Sequence, residues 1–254
     1  MPKIDLNCDM GESFGAYTIG DDEAMLDLVT TANIACGFHA GDPVVMRKTI
    51  LAAKQRGVAI GAHPSFMDLY GFGRRRISGE RPEDLEAQLI YQIAAIRGMA
   101  EALGWPITHV KTHGSLNNMS AEDAALAAVC VRAVKAVDPR LIFVTQPYSE
   151  MTRAAESAGL PMVSEIFADR TYTGRGSLTP RSIPGAVIHD VGQSVEQVLS
   201  MVCDGLIPTT DGTKLPVEAG TLCIHGDGPT AVALATALRA ALLKEGVEIV
   251  GFAG

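Results

Sequence analysis

The feature that most constrains the fold of this chain is a repeated alternation of short apolar segments with longer segments whose apolar residues recur at helical spacing. Short apolar segments between polar loops predict buried strands, and the helical spacing predicts amphipathic helices that pack on them. Seven or eight such units follow one another without a linker or a break in composition. This order is typical of a parallel sheet, and the number of units favours a closed (β/α) barrel over an open doubly wound sheet.

The length of 254 residues allows one large core, so we expect a single barrel domain over residues 1–254. The longest helix is predicted at 82–103, and another is expected to begin at Ser120, where Asp123 completes a capping-box pattern. Asp211-Gly212 predicts a hairpin turn. The predicted strands are residues 4–9, 31–36, 58–62, 107–110, 141–145, 162–167, 186–188 and 221–224.

Composition excludes several classes of protein. A net charge of −8 argues against a nucleic-acid partner, which would need a surface of clustered Lys and Arg. The five cysteines are scattered and form no CxxC pair, so neither a disulfide framework nor a structural zinc site is indicated. The N-terminal residues do not resemble a secretion signal, and no apolar run is long enough to span a membrane. We therefore expect a cytoplasmic protein without a membrane partner.

The stretch TANIACGFHAGDP, residues 31–43, shows where chemistry is to be expected. An apolar strand ends here in a glycine-flanked loop that carries His39 and Asp42, and Pro43 then begins a helix. In α/β folds, binding and catalytic sites are built at the carboxyl ends of the strands. The simplest alternative is a capped turn with one exposed imidazole.

The same arrangement recurs along the chain. Four of the six histidines, His39, His63, His113 and His225, follow the apolar part of a predicted strand. In a parallel barrel these strand ends share one rim, so the imidazoles are expected to converge there. The charged residues expected on the same rim are Asp9, Asp42, Lys111, Glu165, Asp169 and Asp227, and Asn7 and Glu12 flank the first strand end.

Two polar excursions add arginines to this rim. The first, residues 65–84, carries Arg74, Arg75 and Arg76, and the second follows Arg170. Arginine beside glycine suits recognition of a phosphate or a carboxylate, although a solvated run of charge is the simpler interpretation.

Histidines with carboxylates can bind a divalent metal ion or carry out acid–base chemistry without one. The candidate metal ligands are Asp9, His39 and His63. The motifs HExxH, GxxxxGK[ST] and GxSxG are absent, so the sequence gives no zincin, Walker A or serine-hydrolase signature.

The motifs DLNCDMGES, NIACGFHAGDP, GAHPSFMDLYGFGRR, HVKTHGSLNN, EIFADRTY, TPRSIPGAVI and CIHGDGP closely resemble those of one family in order and over nearly the whole chain. It is the LamB/YcsF family, whose members are also called A subunits of 5-oxoprolinase. The resemblance implies a distorted (β/α) barrel like that of the glycoside hydrolases and deacetylases. It also implies hydrolysis of 5-oxo-L-proline to L-glutamate driven by ATP with Mg²⁺, together with two partner subunits, B and C.

One segment departs from the family pattern. Where the family usually reads HVKPHGALYN, this chain has Thr112, Ser115 and Asn117 in place of Pro, Ala and Tyr. Losing an aromatic side chain at Asn117 would change the shape of a pocket, so another lactam substrate stays open.

The resemblance gives each rim residue an expected role. The catalytic candidates are Asp9, His39, Asp42, Lys111 and His113. The candidates for binding substrate or phosphate are Asn7, Glu12, His63, Arg74, Arg75, Glu165, Asp169, Arg170, His225 and Asp227. Two other functions stay open, a metal-dependent hydrolase of the deacetylase type and a non-catalytic lactam-binding subunit, and so does self-association into a homo-oligomer.

Overall fold

The computed structural model describes residues 1–226 and 230–252, and a ring of parallel strands is its central feature. In chain order the strands are β1 (Lys3–Met10), β2 (Thr31–Ala35), β3 (Ala59–His63), β4 (Ile107–Val110), β5 (Ile142–Thr145), β6 (Met162–Phe167), β7 (Leu206–Pro208), β8 (Lys214–Pro216), β9 (Thr221–Cys223) and β10 (Glu248–Ile249). Strands β1 to β6 pair in sequence order, and β9 closes the ring between β6 and β1. The predicted (β/α) barrel is confirmed, with seven parallel strands in the described part of the chain.

The closure depends on the shortest strand of the ring. In β9, Thr221 lies opposite Glu165 of β6 on one side and opposite Asp5 of β1 on the other. Strand β10 lies outside the ring and pairs with the first residues of β1. Every pairing within the ring is parallel, so all carboxyl ends of these strands lie on one rim.

Helices surround the ring, and several begin where the sequence provides a capping side chain. The helices within the described ranges are α1 (Asp22–Leu26), α2 (Pro43–Arg56), α3 (Pro82–Ala102), α4 (Gly114–Glu122), α5 (Ala124–Val137), α6 (Glu150–Ala158), α7 (Val191–Cys203) and α8 (Ala231–Lys244). Asp42, Asp123 and Asp190 cap α2, α5 and α7 by accepting hydrogen bonds from backbone amides of the first turn. None of these helices is long and apolar enough to cross a bilayer.

Two local predictions were wrong. Residues 186–188 form no strand, and only Val187 makes an isolated antiparallel bridge, to Arg170. The strand predicted at 221–224 is confirmed as β9, which follows β6 in the ring without a strand between them. Ser120 does not begin a helix, because α4 already begins at Gly114 and the Ser120 hydroxyl donates to the Leu116 carbonyl within it. The hairpin predicted at Asp211-Gly212 is confirmed by the antiparallel pair β7 and β8.

The two faces of the ring have opposite character. The outward side chains, such as Leu6, Ile34 and Val110, are fully buried in one hydrophobic core under the helices. Inside the ring many of the side chains are polar. His109 of β4 hydrogen-bonds Asn33 of β2, and these strands are not neighbours, so the bond must cross the lumen. The barrel is thus filled by a network of polar groups.

One glycine makes room for this network. An added Cβ at Gly61 of β3 would lie 2.3 Å from the imidazole ring of His109. The inward position of His109 therefore requires glycine on the adjacent strand.

Candidate functional site

A buried lysine connects four strands of the barrel at its carboxyl-end rim. Lys111 directly follows β4, and its Nζ lies 2.9 Å from Asp9 Oδ1 and 2.7 Å from Glu165 Oε1. It also lies 3.2 Å from Asn7 Oδ1 and 3.1 Å from Cys223 Sγ. Hydrogen bonds to Asn7, Asp9 and Cys223 take up all three protons of the ammonium group, and Glu165 lies beside it as a second carboxylate. Lys111 is therefore held inside the barrel and has no proton left for a ligand.

The charges in this network depend on one another. Burial alone would lower the pKa of Lys111, but the nearby carboxylates raise it well above its ordinary value. Burial alone would raise the pKa of Asp9, but His63 and Lys111 hold it well below its usual range. Burial raises the pKa of Glu165, which is partly opposed by Lys111. The lysine is thus charged, and Asp9 is the carboxylate that stays ionised most firmly.

Three imidazoles lie beside Asp9 on the same rim. His39 and His113 are stacked with their ring centroids 3.9 Å apart, and His63 packs edge-on against both. Glu12 Oε1 lies 3.5 Å from His39 Nε2 and 3.6 Å from His113 Nδ1. Potential ligand atoms of Glu12, His39, His63 and His113 all lie within 4.8 Å of one another. We call these four residues the imidazole cluster.

Hydrogen bonds at the edge of the imidazole cluster fix where its lone pairs point. Nδ1 of His63 lies 2.7 Å from the Lys111 carbonyl oxygen, and Nε2 of His113 lies 2.9 Å from the Phe72 carbonyl oxygen. A carbonyl only accepts, so both of these nitrogens donate. The remaining nitrogens, His63 Nε2 and His113 Nδ1, then face each other as two lone pairs only 3.0 Å apart if both rings are neutral. A shared proton or a cation is needed between them.

His39 is the least satisfied member of the cluster. It is fully buried, and neither of its ring nitrogens has a hydrogen-bond partner in the described part of the chain. Burial, followed by the neighbouring imidazoles, lowers the pKa of His39 well below its ordinary value. The same causes lower the pKa of His113. Neutral imidazoles with free lone pairs beside a carboxylate form a donor set that fits a divalent metal ion such as Zn²⁺.

The excursion after β3 covers the imidazole cluster. The ring of Phe72 packs edge-on against His39 and His113, and its backbone has a positive φ of 53°. At the next residue, Gly73, φ is 63° and an added Cβ would lie 2.7 Å from the His113 ring. Only glycine allows the loop this close to the imidazoles.

The arginines of this excursion separate into different environments. Arg75 is paired with the buried carboxylate of Asp68 and braces the loop. Arg74 packs over the Phe72 ring at 5.2 Å and lines the cavity described below, as does Arg76. The structure therefore places Arg74 at the cavity and ties Arg75 to the loop.

The segment after β9 brings another imidazole to the rim, beside the second excursion. His225 Nδ1 lies 2.8 Å from Asp169 Oδ1, and Arg181 Nη2 lies 3.5 Å from His225 Nε2. Potential ligand atoms of Asp9, Cys223 and His225 lie within 4.8 Å of one another, so His225 shares the rim with the first network. Burial would raise the pKa of Asp169, but His225 lowers it below its ordinary value.

Asp42 belongs neither to the lysine network nor to the imidazole cluster among the described residues. Its carboxylate accepts hydrogen bonds from the backbone amides of Val44, Val45 and Gly15, which caps α2 and anchors the loop after β1. In the structure Asp42 thus has a capping role, and a catalytic role for it stays a prediction. Asp227, another predicted rim residue, lies outside the described residues.

A cavity of about 620 Å³ opens above the rim. Asp9, Lys111, His63, His113 and His225 lie at its inner wall. The cationic side chains that line it are Arg74, Arg76, Lys111, Arg170 and Arg181, against the carboxylates Asp9 and Glu122. A cavity rich in positive charge in a chain of net charge −8 indicates an anionic ligand.

Several site residues were missed in the sequence. Asn33 and Cys223 contact the lysine network, and Gln146 and Arg181 line the cavity. Strand β1 places Asp5, Asn7 and Asp9 at alternate positions, and this period of two in a buried strand predicts a polar lumen. The same alternation at Thr31 and Asn33 of β2 would have identified Asn33.

Comparison with known proteins agrees with these features. The model of the LamB/YcsF family matches residues 4–254. The chain belongs to this family.

Relatives within the LamB/YcsF family match over almost their full length. The A subunit of 5-oxoprolinase from Geobacillus thermodenitrificans is 52% identical and covers 98% of this chain and 96% of its own. That of Rhodopseudomonas palustris strain BisB5 is 49% identical and covers 99% of each chain. The crystal structure of the lactam utilization protein from Thermus thermophilus, 44% identical, superposes with a TM-score of 0.93 over 98% of this chain and 100% of its own. These similarities support a role of this chain in a multi-subunit 5-oxoprolinase.

More distant structures share only the fold. A family 4 carbohydrate esterase from Streptomyces lividans is 11% identical and has a TM-score of 0.51 over 98% of this chain and 91% of its own. The barrel of this LamB/YcsF protein thus resembles those of the deacetylases.

The three departures from the LamB/YcsF pattern all lie at the cavity. Thr112, Ser115 and Asn117 line its wall, and the Thr112 hydroxyl donates to the side-chain oxygen of Asn117 at 3.0 Å. Thr112 and Asn117 thus present two small polar groups where the expected pattern has a proline and a tyrosine, which changes the surface presented to a ligand.

Proposed function

We propose that this chain is the component of an ATP-dependent 5-oxoprolinase in which the lactam ring of 5-oxo-L-proline is opened. The observation that carries the proposal is the imidazole cluster with Asp9 and Lys111 on the inner wall of a cationic cavity. It occurs in a chain about half identical to proteins named as the A subunit of 5-oxoprolinase.

ATP enters the proposal because of the substrate. The amide of an unstrained five-membered lactam is a poor electrophile, so water needs an activated carbonyl carbon. Transfer of the γ-phosphoryl group to the lactam oxygen supplies this activation, while ADP leaves and the ring nitrogen loses its proton. The carbon then carries a phosphate leaving group.

Two water molecules complete the reaction. The first adds to the activated carbon and gives up a proton, and the ring nitrogen is protonated as the carbon–nitrogen bond breaks, which leaves an acyl phosphate. The second hydrolyses the acyl phosphate. One ATP and two waters thus convert 5-oxoproline into glutamate, ADP and phosphate.

The imidazole cluster is suited to the proton transfers. In their neutral forms His63 and His113 direct lone pairs toward one point, so a proton taken from water can be shared between them. Asp9, held ionised beside His63 at 3.3 Å, stabilises the imidazolium that forms. Lys111 fixes the position of Asp9, since all protons of the lysine ammonium group are bound within the barrel.

The phosphoryl group is assigned to the arginines at the cavity wall. Arg74 and Arg76 line the cavity from the loop after β3, and guanidinium groups suit the transferring phosphate. Subunits B and C, with Mg²⁺ and ATP, are the expected partners, since we find no Walker A sequence in the chain.

Reconstitution tests this function. The chain with both partner subunits, Mg-ATP and 5-oxoproline is expected to release glutamate and phosphate in equal amounts, while the isolated chain releases neither. His63→Gln is expected to lower turnover at least about 100-fold. The matched control is His189→Gln, since His189 is exposed and does not line the cavity. Unchanged turnover in a folded His63→Gln complex would favour a non-catalytic, lactam-binding role instead.

A metal-dependent hydrolase of the deacetylase type is the second candidate. It is favoured by the donor set of the imidazole cluster, in which both nitrogens of buried His39 lack a partner in the part of the chain that the structure describes. Glu12, His39, His63 and His113 would hold the ion. When bound, such an ion would polarise a carbonyl group and lower the pKa of a water molecule.

Metal binding is tested independently of turnover. Zinc added to metal-free protein is expected to bind in a one-to-one ratio, and His113→Gln is expected to weaken binding at least about tenfold. Turnover that requires the ion without ATP would support the second candidate over the first.

A further inference from the structure

The cavity contains a buried arginine without an ion-pair partner among the described residues. Arg170 follows β6, is 3% exposed, and lines the cavity. Its Nη2 donates to the Thr179 carbonyl oxygen at 2.6 Å, but its Nε has no hydrogen-bond partner. The neighbouring carboxylate of Asp169 is bound to His225 instead. Asp169 attracts the guanidinium group without forming an ion pair with it. A buried charge without an ion-pair partner is costly, so this position favours an anion from outside the chain.

A neutral donor on the same cavity wall is also unpartnered. The side-chain amide nitrogen of Gln146, which follows the adjacent strand β5 and lines the cavity, has no acceptor in the described structure. Like Arg170, Gln146 is 3% exposed. Buried polar groups are normally satisfied, so two orphaned groups on one cavity wall indicate a missing acceptor.

The backbone around Arg170 is held separately from its guanidinium group. The side chain of Gln197 donates to the carbonyl oxygens of Phe167 and Arg170 at 3.2 and 2.9 Å. Gln197 therefore holds the backbone at Arg170, while the guanidinium group contacts the Thr179 carbonyl of the excursion. Burial, followed by the charge of Arg181, lowers the pKa of Arg170 to about 10, which a bound anion would reverse.

We propose that Arg170, with Gln146, binds the free carboxylate of a small carboxylated lactam and so selects it over lactams without that group. This inference rests on the proposed function and adds the feature of the substrate that this wall of the cavity recognises. One charged donor with one neutral donor suits a singly charged carboxylate. A phosphate would be better matched by the several arginines elsewhere on the wall.

The test compares 5-oxoproline with 2-pyrrolidinone, the same ring without the carboxylate. In the reconstituted complex, Arg170→Met is expected to raise KM for 5-oxoproline about 10- to 100-fold, with a smaller change in kcat. The ratio of kcat/KM for 5-oxoproline to kcat/KM for 2-pyrrolidinone is expected to fall by the same factor. Arg170→Lys should recover part of the lost affinity, and Gln146→Leu should raise KM less than Arg170→Met does. Arg175→Gln is the matched control, since Arg175 is exposed on the same excursion and does not line the cavity.

Stability separates recognition from a structural role. Because Arg170 has no carboxylate partner in the described structure, Arg170→Met is expected to keep or raise Tm. A lower Tm with reduced kcat and an unchanged KM would overturn the inference, and so would an unchanged preference for 5-oxoproline over 2-pyrrolidinone.

Binding to the full chain keeps this test independent of the proposed function. If the wild-type complex releases no glutamate, the proposed function fails, but titration with 5-oxoproline, 2-pyrrolidinone and inorganic phosphate still examines the subsite. Binding of 5-oxoproline that is lost in Arg170→Met would support the inference. Equal binding of 5-oxoproline by wild type and variant would overturn it, as would no binding by wild type or an Arg170-dependent preference for phosphate.

Discussion

Replacing Lys111 by methionine should destabilise the barrel, because it leaves Asp9 and Glu165 buried without their shared cation. Both carboxylates lie within 3 Å of Lys111 Nζ, at 2.9 and 2.7 Å. Breaking a buried ion pair by removing one partner costs about 3–5 kcal/mol. Lys111 thus stabilises the fold as well as the site, and loss of turnover in such a variant must be separated from loss of folded protein.

The magnitude can be worked from the proton that the variant must bind. Without Lys111, Glu165 avoids a buried charge by staying protonated, although its ordinary pKa is 4.5. Keeping such a carboxyl protonated at pH 7 costs about 3 kcal/mol, and at pH 5 less than about 1 kcal/mol. Because the pKa of Glu165 is raised in the folded variant, the free energy of unfolding of the variant falls as the pH rises. For a chain of this size, about 3 kcal/mol corresponds to a Tm lower by about 6–12 °C.

Urea denaturation at pH 5 and pH 7 measures both the deficit and its pH dependence. The double variant Lys111→Met/Glu165→Gln is expected to recover most of the loss at pH 7, since glutamine is neutral. Lys3→Met is the control, because Lys3 forms an exposed ion pair with Glu248, whose loss costs less than about 1 kcal/mol. A deficit under about 1 kcal/mol at pH 7, or one of equal size at pH 5, would refute this reasoning.

Three further predictions concern the barrel interior. Gly61→Ala should lower the free energy of unfolding by about 1–3 kcal/mol, because its Cβ would lie 2.3 Å from a lumenal imidazole ring. Its control is Gly98→Ala, with no atom near the added Cβ on helix α3, which should raise the free energy of unfolding by up to about 1 kcal/mol. Burial lowers the pKa of His39 and His113, so below their ordinary pKa of 6.5 the unfolded chain binds protons at these residues that the folded chain does not. The free energy of unfolding is therefore expected to fall as the pH falls below 6.5. Burial raises the pKa of Asp5 from 3.8 to about 6, so wild type should lose up to about 3 kcal/mol as the pH rises between these values, and Asp5→Asn should not.

Denaturation across pH 4 to 8 checks these predictions. Equal stabilities of Gly61→Ala and wild type would show that the lumen can yield around the added methyl group. A free energy of unfolding that does not fall below pH 6.5 in Asp5→Asn would contradict neutral, buried imidazoles. The same slope in wild type and Asp5→Asn below pH 6 would contradict the raised pKa of Asp5.

Much of the rim could be predicted because strand ends are encoded locally. His39 and His63 follow short apolar runs, and any parallel closure of these strands brings their carboxyl ends to one rim. Asp42 shows the limit of this reasoning. It precedes a proline at a helix start, and the structure uses it to cap that helix and hold Gly15 rather than to face the cavity.

The local sequence did not show which of two short apolar segments would close the ring. Residues 186–188 and Thr221–Cys223 are equally short and apolar, but only the second segment pairs with both β6 and β1. A three-residue strand contributes little pairing free energy by itself, so its position is decided by the gap that the other strands leave in the ring.

By itself the sequence determined the alternation of strands and helices, the parallel barrel, and the strand ends that carry histidines and carboxylates. Only the tertiary structure decided which of these groups meet. The ring brings Lys111 between Asp9 and Glu165, which lie 102 and 54 positions away in the sequence, and leaves Arg170 beside the cavity without a carboxylate partner in its described surroundings. Such pairings depend on the closure of the barrel, because a side chain in the lumen contacts strands distant in sequence while local spacing specifies only the direction in which it points.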